Sequence, residues 1–415
     1  MKAVILAAGM GSRLNMKPKP LLKVGGIEII LRSMKLLSNH VDEFIVVAGK
    51  FYDEIKSFLE DVPFKHRIIK NEHPEWGNGY SLKLAKDHVN GKFVLLMGDH
   101  IYSEDFIREA IRGEGLIVDG KPSYIDIEEA TRVKAVNGRI ENIGKGLEDY
   151  NFIDTGFFIL DDSIFEVANR LPDDVSVSDI IRDARLRVYE VSGYFWTDVD
   201  TEEDLKKANW LLIESSIKDT DGLVSRYINR KISTRISALL INRVTPTQMT
   251  FVSFITGLIS AFSLLFSIQA GALLYQLSSI LDGCDGEIAR ASLRKSPFGG
   301  YIDSIMDRFV DFLFLGILAF MFPSSLLPAL FAIFGSFMVS YTREKYKVEF
   351  GKKTLEDRTK YLIGKRDERV FIIMLFCLLG YINLMFWIIA LLTNLRVLLT
   401  LVTVWRVEIS EGGKR

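Results

Sequence analysis

Four aspartates stand in two close pairs, Asp282 with Asp285 and Asp303 with Asp307. The stretch that carries them, LDGCDGEIARASLRKSPFGGYIDSIMDRFVDF, is flanked on both sides by long apolar runs. Spacings of three and four residues put the members of each pair on one helical face. The short segment RKSPFG between the pairs predicts two antiparallel helices and one convergent carboxylate cluster. An isolated Asp at the centre of a bilayer helix costs about 2.5–3.5 kcal/mol, so four would cost about 10 kcal/mol. A divalent cation offsets that cost, and hard oxygen ligands in this number suit Mg2+, Mn2+ or Ca2+ rather than zinc. The alternative is a structural salt-bridge cluster with Arg290 as partner, yet one guanidinium cannot neutralise four carboxylates. Gly283, Gly286, Ala289, Gly299 and Gly300 leave room for close helix packing or a flat ligand.

A second stretch with chemical potential lies at the start, LAAGMGSRLNMKPKPLLKVGG. Leu6, Ala7, Ala8, Gly9 and Gly11 follow an apolar strand and can wrap backbone N–H groups around phosphates. Arg13 and Lys19 add positive charge. No G-K-[ST] follows, so this is not a Walker loop.

Different elements must position the two sets. The chain has 415 residues and a net charge of −1, so no global basic field points to nucleic acid. Its two cysteines, Cys284 and Cys377, give neither a disulfide framework nor metal-ligand spacing. The first apolar run is too short for a signal peptide, which leaves the N-terminal half in the cytosol. Residues 1–208 alternate the strand candidates KAVILAA, EFIVVAG, KHRIIKN, KFVLLMGD, GLIVDG and NFIDTGFFIL with helical stretches near 27–39, 51–60, 79–88 and 103–112. That alternation predicts an α/β domain with a mixed, mainly parallel, Rossmann-like sheet. Ligands then bind at the carboxyl ends of the strands, where the loops after VILAAG and VLLMGD share a cleft.

Residues 209–245 read as a linker and an amphipathic helix. Ile228, Ile232, Ile236, Leu239 and Leu240 share a face, while Arg226, Arg230, Lys231 and Arg235 lie mostly elsewhere. A basic amphipathic helix before an apolar region suggests an interfacial helix on an anionic leaflet. Residues 246–415 read as an all-α membrane domain of six spans, near 247–267, 270–292, 299–321, 325–347, 367–382 and 384–405. One span needs about 20 apolar residues, so the run 370–405 is broken at GYIN. The loops SIQAG, FPSSL and GYINL carry no charge, whereas Arg343 to Arg369 holds ten Lys and Arg. The positive-inside rule then puts both termini and the basic loops in the cytosol. Arg396 falls within the last span and must face the bundle, or that span ends elsewhere.

The pattern D-x2-D-G-x2-A-R-x8-G-x3-D-x3-D is met in full by Asp282, Asp285, Gly286, Ala289, Arg290, Gly299, Asp303 and Asp307. With it the C-terminal half resembles the CDP-alcohol phosphotransferases. The resemblance implies that the four aspartates hold divalent metal and that Asp307 is the general base. It also implies attack of an acceptor hydroxyl on the β-phosphorus of a CDP-alcohol, with CMP leaving, and a homodimer through the spans. Pro246 and Thr247 resemble the TPN element of that family, from which Gln248 departs. Gly286, Ala289 and Arg290 would border the nucleotide. Arg343, Arg366 and Arg369 bracket the large basic loop; they either obey the positive-inside rule or bind an acceptor phosphate.

With its Pro18-Lys19 pair, the N-terminal stretch resembles the sugar-phosphate nucleotidyltransferases, over most of residues 1–208. That resemblance implies catalytic roles for Arg13 and Lys19, and Mg2+ ligands at Asp99 and Asp198 with Asp200 nearby. It places Gly79 and Ser81 of NEHPEWGNGYSL at the base and Thr155 and Gly156 of DTGFF near the sugar; Lys145 is a further option for the acceptor phosphate. The pairing of both halves resembles the bifunctional inositol-1-phosphate cytidylyltransferase/phosphoinositol transferase family. By that resemblance CTP and inositol 1-phosphate give CDP-inositol, which a second inositol 1-phosphate consumes. A phospholipid synthase and a membrane-anchored nucleotide-sensing module are the alternatives.

Overall fold

The computed structural model describes residues 1–9, 17–217, 221–350, 359 and 362–412. The chain divides into two units, Met1–Leu212 and Ile213–Arg415.

In the first unit all six strand candidates form strands. They are β1 (Lys2–Ala7), β2 (Glu43–Ala48), β3 (His66–Lys70), β4 (Phe93–Met97), then, after a short β5 (His100–Tyr102), β6 (Gly115–Asp119), and finally, past the hairpin β7 (Thr131–Val136) and β8 (Arg139–Lys145), β9 (Phe152–Leu160). Among the further short strands are β10 (Val188–Glu190) and β11 (Trp196–Asp198). The main sheet runs in the order β8-β7-β9-β4-β1-β2-β3. Ala3, Val4 and Ile5 of β1 are wholly buried, as an apolar run covered on both faces should be. Strands β4, β1, β2 and β3 pair in parallel. Strand β9 runs antiparallel to β4, β6 and β7. The sheet is therefore mixed, as expected, with more antiparallel pairing around β9 than a mainly parallel sheet would have. Periodicity reports which faces of a strand are buried and carries no information on its direction. Helices α1 (Ile29–Leu37), α2 (Tyr52–Glu60), α3 (Asn78–Leu84), α4 (Glu104–Ala110), α5 (Ile164–Ala168) and α6 (Val177–Asp183) accompany the sheet, and the unit boundary falls within α7 (Glu202–Glu214).

The second unit is helical. A π-helical turn, Ser225–Asn229, leads into α8 (Arg230–Leu240), followed by α9 (Pro246–Ser263), α10 (Ile268–Ala291), α11 (Pro297–Met321), α12 (Leu326–Phe350), α13 (Arg366–Leu379) and α14 (Ile382–Gly412). Thr245 caps α9 and Ser296 caps α11, each accepting a hydrogen bond from a backbone N–H of the first turn. Gln248, the departure from TPN, completes a capping box with Thr245. Gly380 ends α13 in the left-handed conformation at φ +78°, so the chain turns within GYIN. The interior holds Ala272, Ala329, Cys377 and Met385, with Tyr275 stacked on Phe314 at 4.1 Å between centroids. The outer faces are also apolar: Phe266, Phe320, Leu391 and Trp405 are all exposed. Among the described residues, two helical stretches are long and apolar enough to cross a membrane, Pro323–Phe350 and Ile382–Arg406. Helices α10 and α11 are comparably long but carry the aspartates.

In the amphipathic segment, the inward face of α8 is made of Ser233, Thr234 and Ser237, while Tyr227, Ile228, Ile232 and Leu239 are exposed. Arg230 does not join the outer basic residues; it points inward, onto Asp221 and Glu287.

Candidate active sites

In the first unit, β1 and β4 lie side by side with Leu6 opposite Met97, so the loops that follow them open on the same carboxyl edge of the sheet. A cavity of about 370 Å3 lies there, lined by Leu6, Ala7, Ala8, Gly9, Lys19, Pro20, Gly77, Asn78, Ser81 and Asp99, among others. Gly11 and Arg13 lie outside the described residues. Lys19 Nζ is 3.3 Å from Asp99 Oδ2 and also donates to Asp200. Burial alone would lower the Lys19 pKa, but the two carboxylates outweigh it and hold it above its ordinary value. Asp99 is likewise pushed up by burial, yet His100 and Lys19 keep it well below the usual carboxylate range. His100 contacts Asp99 Oδ1 through Nδ1 at 2.9 Å and lies parallel to Trp196. Asp198 faces His100 across the antiparallel β5–β11 ribbon.

Several predicted contacts point elsewhere. Gly79 is buried and does not line the cavity; its N–H donates to the Val175 carbonyl at 3.0 Å. Thr155 is fully buried and its hydroxyl donates to the Ile117 carbonyl at 2.7 Å. Gly156 packs against His100: a Cβ there would lie 2.6 Å from Nε2. Lys145 is exposed at the end of β8. Sequence reasoning passed over Asp154, which accepts from Gly156 N at 2.7 Å and whose carboxyl burial pushes up to about 6.

In the second unit the four aspartates converge. One carboxylate oxygen from each of Asp282, Asp285 and Asp303 lies within 4.8 Å of the others. Such a triplet of hard oxygen donors fits a divalent cation. Two cavities adjoin it. One, of about 500 Å3, is lined by Pro246, Thr247, Thr250, Asp285, Gly286, Ala289, Arg290, Gly299 and Asp303, among others. The other, of about 330 Å3, includes Asp282, Asp303, Asp307, Arg343, Arg366, Arg369 and Arg396. Asp303 faces both. Thr250, unremarked in the sequence, donates to Asp285 Oδ2 at 2.5 Å.

Arg290 is not the partner of the acidic cluster. Its Nε donates to the Ser216 carbonyl at 2.6 Å, and Gly286 makes room for it: a Cβ there would lie 2.8 Å from Nη1. Among the described residues, Arg366 stands at the cluster, 2.9 Å from Asp307 Oδ1 and 3.2 Å from Asp282 Oδ2, and Arg308 lies 3.8 Å from Asp307 Oδ2. Asp311, absent from the predicted set, receives Tyr275 Oη at 2.7 Å, Arg308 at 3.2 Å and Arg366 at 3.2 Å. Its signal was the continued spacing, four residues beyond Asp307 as Asp307 is beyond Asp303. Arg369 is buried, donating to the Ser336 carbonyl at 3.0 Å and facing Asp311 at 3.6 Å. Arg343 is half-exposed beside Glu344. Arg396 faces the bundle and donates to the Leu362 carbonyl.

Residues 3–114 match the family described as MobA-like NTP transferase domain, and residues 243–402 the one described as CDP-alcohol phosphatidyltransferase. A protein of Archaeoglobus fulgidus named bifunctional IPC transferase and DIPP synthase is 55% identical over 414 residues, covering 97% of this chain and 84% of that one. A protein of the same name from Thermococcus kodakarensis is 49% identical over 415 residues, with 96% of each chain covered. Among solved structures, the inositol-1-phosphate CTP transferase from T. maritima aligns with a TM-score of 0.46 at 26% identity, covering 50% of this chain and 96% of that one. On relatives of this identity and length, the chain belongs to the family of bifunctional IPC transferase and DIPP synthases, with a nucleotidyltransferase unit followed by a CDP-alcohol phosphotransferase unit.

Proposed function

We propose that the chain makes and then consumes CDP-inositol. CTP and inositol 1-phosphate give CDP-inositol and pyrophosphate; a second inositol 1-phosphate then takes phosphoinositol from CDP-inositol, giving di-myo-inositol-phosphate-phosphate and CMP. The observation that carries this reading is one chain holding both a Lys19–Asp99 cavity at the carboxyl edge of a sheet and an Asp282–Asp285–Asp303 triplet beside Asp307.

At the first site the turn after β1 and Lys19 cradle the triphosphate, with Arg13 assigned the same duty by its motif. Lys19 remains protonated and neutralises charge developing on the departing pyrophosphate. A phosphate oxygen of inositol 1-phosphate attacks the α-phosphorus. Asp99 and Asp198 would hold Mg2+, or Mn2+. At the second site Asp282, Asp285 and Asp303 would hold the same kind of ion, with Asp307 at its edge. At both sites the bound ion supplies neutralisation of phosphoryl oxygens. Asp307 takes the proton of the acceptor hydroxyl as that oxygen attacks the phosphorus bearing inositol. Pro246, Thr247, Gly286, Ala289 and Arg290 enclose the cytidine portion that leaves as CMP. Arg343 and Arg366 face the acceptor cavity, whose lining suits a phosphomonoester.

The six helices α9 to α14 cross the bilayer, both termini and both sites face the cytosol, and the exposed apolar residues of α8 rest in the leaflet. Apolar outer faces on these helices support this, as does the inward polar stripe of α8. The spans also provide the surface for a homodimer.

Single substitutions separate the reactions. Lys19→Ala should stop CTP-dependent pyrophosphate release yet leave consumption of supplied CDP-inositol intact. Asp307→Asn should do the reverse, lowering CMP release by about 10²–10⁴-fold while CDP-inositol accumulates. Full turnover of both half-reactions by both variants would refute the assignments.

A further inference from the structure

Arg230 and Glu287 form a buried ion pair that neither reaction step uses. The Glu287 side chain is wholly inaccessible, and that of Arg230 is 12% exposed. Arg230 Nε donates to Asp221 Oδ2 at 2.7 Å; its Nη1 donates to Glu287 Oε1 at 2.5 Å and to the Gly283 carbonyl at 3.1 Å. The Ser233 and Ser237 hydroxyls donate to the two Glu287 oxygens at 2.6 and 2.5 Å. Gly283 and Glu287 bracket Asp285 on α10, and Asp282 directly precedes Gly283. The guanidinium thus grips the turn that presents Asp282 and Asp285. The segment that begins at Asp221 also holds α13: Ser225 N donates to Asp367 Oδ2 at 2.7 Å and Leu223 N to Glu368 Oε1 at 3.3 Å. Helix α13 carries Arg366, which meets Asp282 at 3.2 Å.

A buried ion pair is a poor source of stability, because desolvation offsets most of its attraction and apolar side chains of like volume do as well. What it provides is geometry: a planar fork with several fixed acceptors allows one orientation. We infer that Arg230 is a positioning residue for the second reaction, acting through Glu287 and the Gly283 carbonyl to hold Asp282 and Asp285 where they can share one cation. This rests on the reading of those aspartates as metal ligands. Gly283 belongs to the same device, since a Cβ there would stand 3.1 Å from Arg230 Nη1 and press on the guanidinium.

The test is Mn2+ titration by electron paramagnetic resonance on the full chain in lipid nanodiscs. Asp99→Asn and Asp198→Asn, present in every sample, silence the first site. Arg230→Lys keeps the charge and loses the fork; Gly283→Ala keeps every charged group and displaces the fork. Arg230→Lys should weaken Mn2+ binding by about 10–100-fold, as loss of a ligand-orienting partner does. It should also lower kcat for CMP release while moving KM for CDP-inositol by less than about threefold. Gly283→Ala should shift both readouts in the same direction by a smaller factor. Glu287→Gln, which keeps the shape, should recover part of the binding lost in Glu287→Ala. If Arg230→Lys or Gly283→Ala is folded and matches the parent in Mn2+ affinity and kcat, the inference is overturned while the metal reading stands. A parent that binds no Mn2+ overturns the metal reading and the inference with it.

Discussion

At Asp99, Lys19 and Asp154, burial and neighbouring charge oppose each other with different outcomes. Lys19 and Asp99 have each other, and both stay charged. Asp154 is desolvated without such a cation, helped only by Gly156 N–H and His100, and its carboxyl sits at about 6 instead of 3.8. Between about pH 4 and pH 6 the folded state therefore holds a proton there that the unfolded chain has released. Stability from that proton is complete below about pH 4 and is lost as pH rises through about 6. Asp154→Asn, which cannot ionise, should leave the unfolding midpoint of the chelator-treated protein unchanged at pH 4 and raise it at pH 8. Calorimetry at the two pH values checks this; an equal effect at both would contradict it. Residue identities at the acidic cluster were legible because spacing alone places Asp282, Asp285, Asp303 and Asp307 on facing helices. Arg230 was not. Helical-wheel reading assumes that the apolar face turns inward, and against lipid that assumption fails, since polar groups can line the bundle interior and apolar ones the outside.

Helix termini were largely readable, because caps are local chemistry. Thr245 with Pro246 announces α9, and Gly380 announces the break between α13 and α14. The start of α9 also fixes Pro246 and Thr247 at the rim of the cavity that holds Gly286 and Arg290. Thr245→Ala removes the acceptor for Gln248 N, so it should destabilise the helical unit by about 1 kcal/mol. It should also raise KM for CDP-inositol more than it lowers kcat. Thermal unfolding in detergent and steady-state CMP release measure the two effects; a fall in kcat with KM unchanged would place Thr245 elsewhere in the chemistry. Strands with continuous apolar runs were equally plain. The β7–β8 hairpin was passed over although Asn137-Gly138, both at positive φ, marks its turn. Its strands alternate polar and apolar residues around few large side chains, a weaker signal than the runs of β1, β2 and β4. The antiparallel entry of β9 depends on which strands it meets, information that no local pattern holds.

For the whole molecule, alternating neutral and basic loops predict an orientation that two long apolar helices do not establish by themselves. Single cysteines introduced at Lys295 and at Gln269 offer a direct check, with Cys284 and Cys377 buried and slow to react. In inverted vesicles a membrane-impermeant maleimide should label Lys295→Cys and spare Gln269→Cys; the opposite pattern would invert the topology. The two half-reactions fit one chain because the product of the first is the donor of the second, and the acidic cluster decides where the label from that donor finally goes. The purified full chain in vesicles, given CTP, Mg2+ and radiolabelled inositol 1-phosphate, should release pyrophosphate and CMP in equal amounts at completion. Two labelled inositols should then appear in each molecule of a water-soluble phosphodiester, and with Asp307→Asn the label should stop at CDP-inositol. Label that partitions into the lipid extract, or CMP release undiminished in Asp307→Asn, would contradict the account.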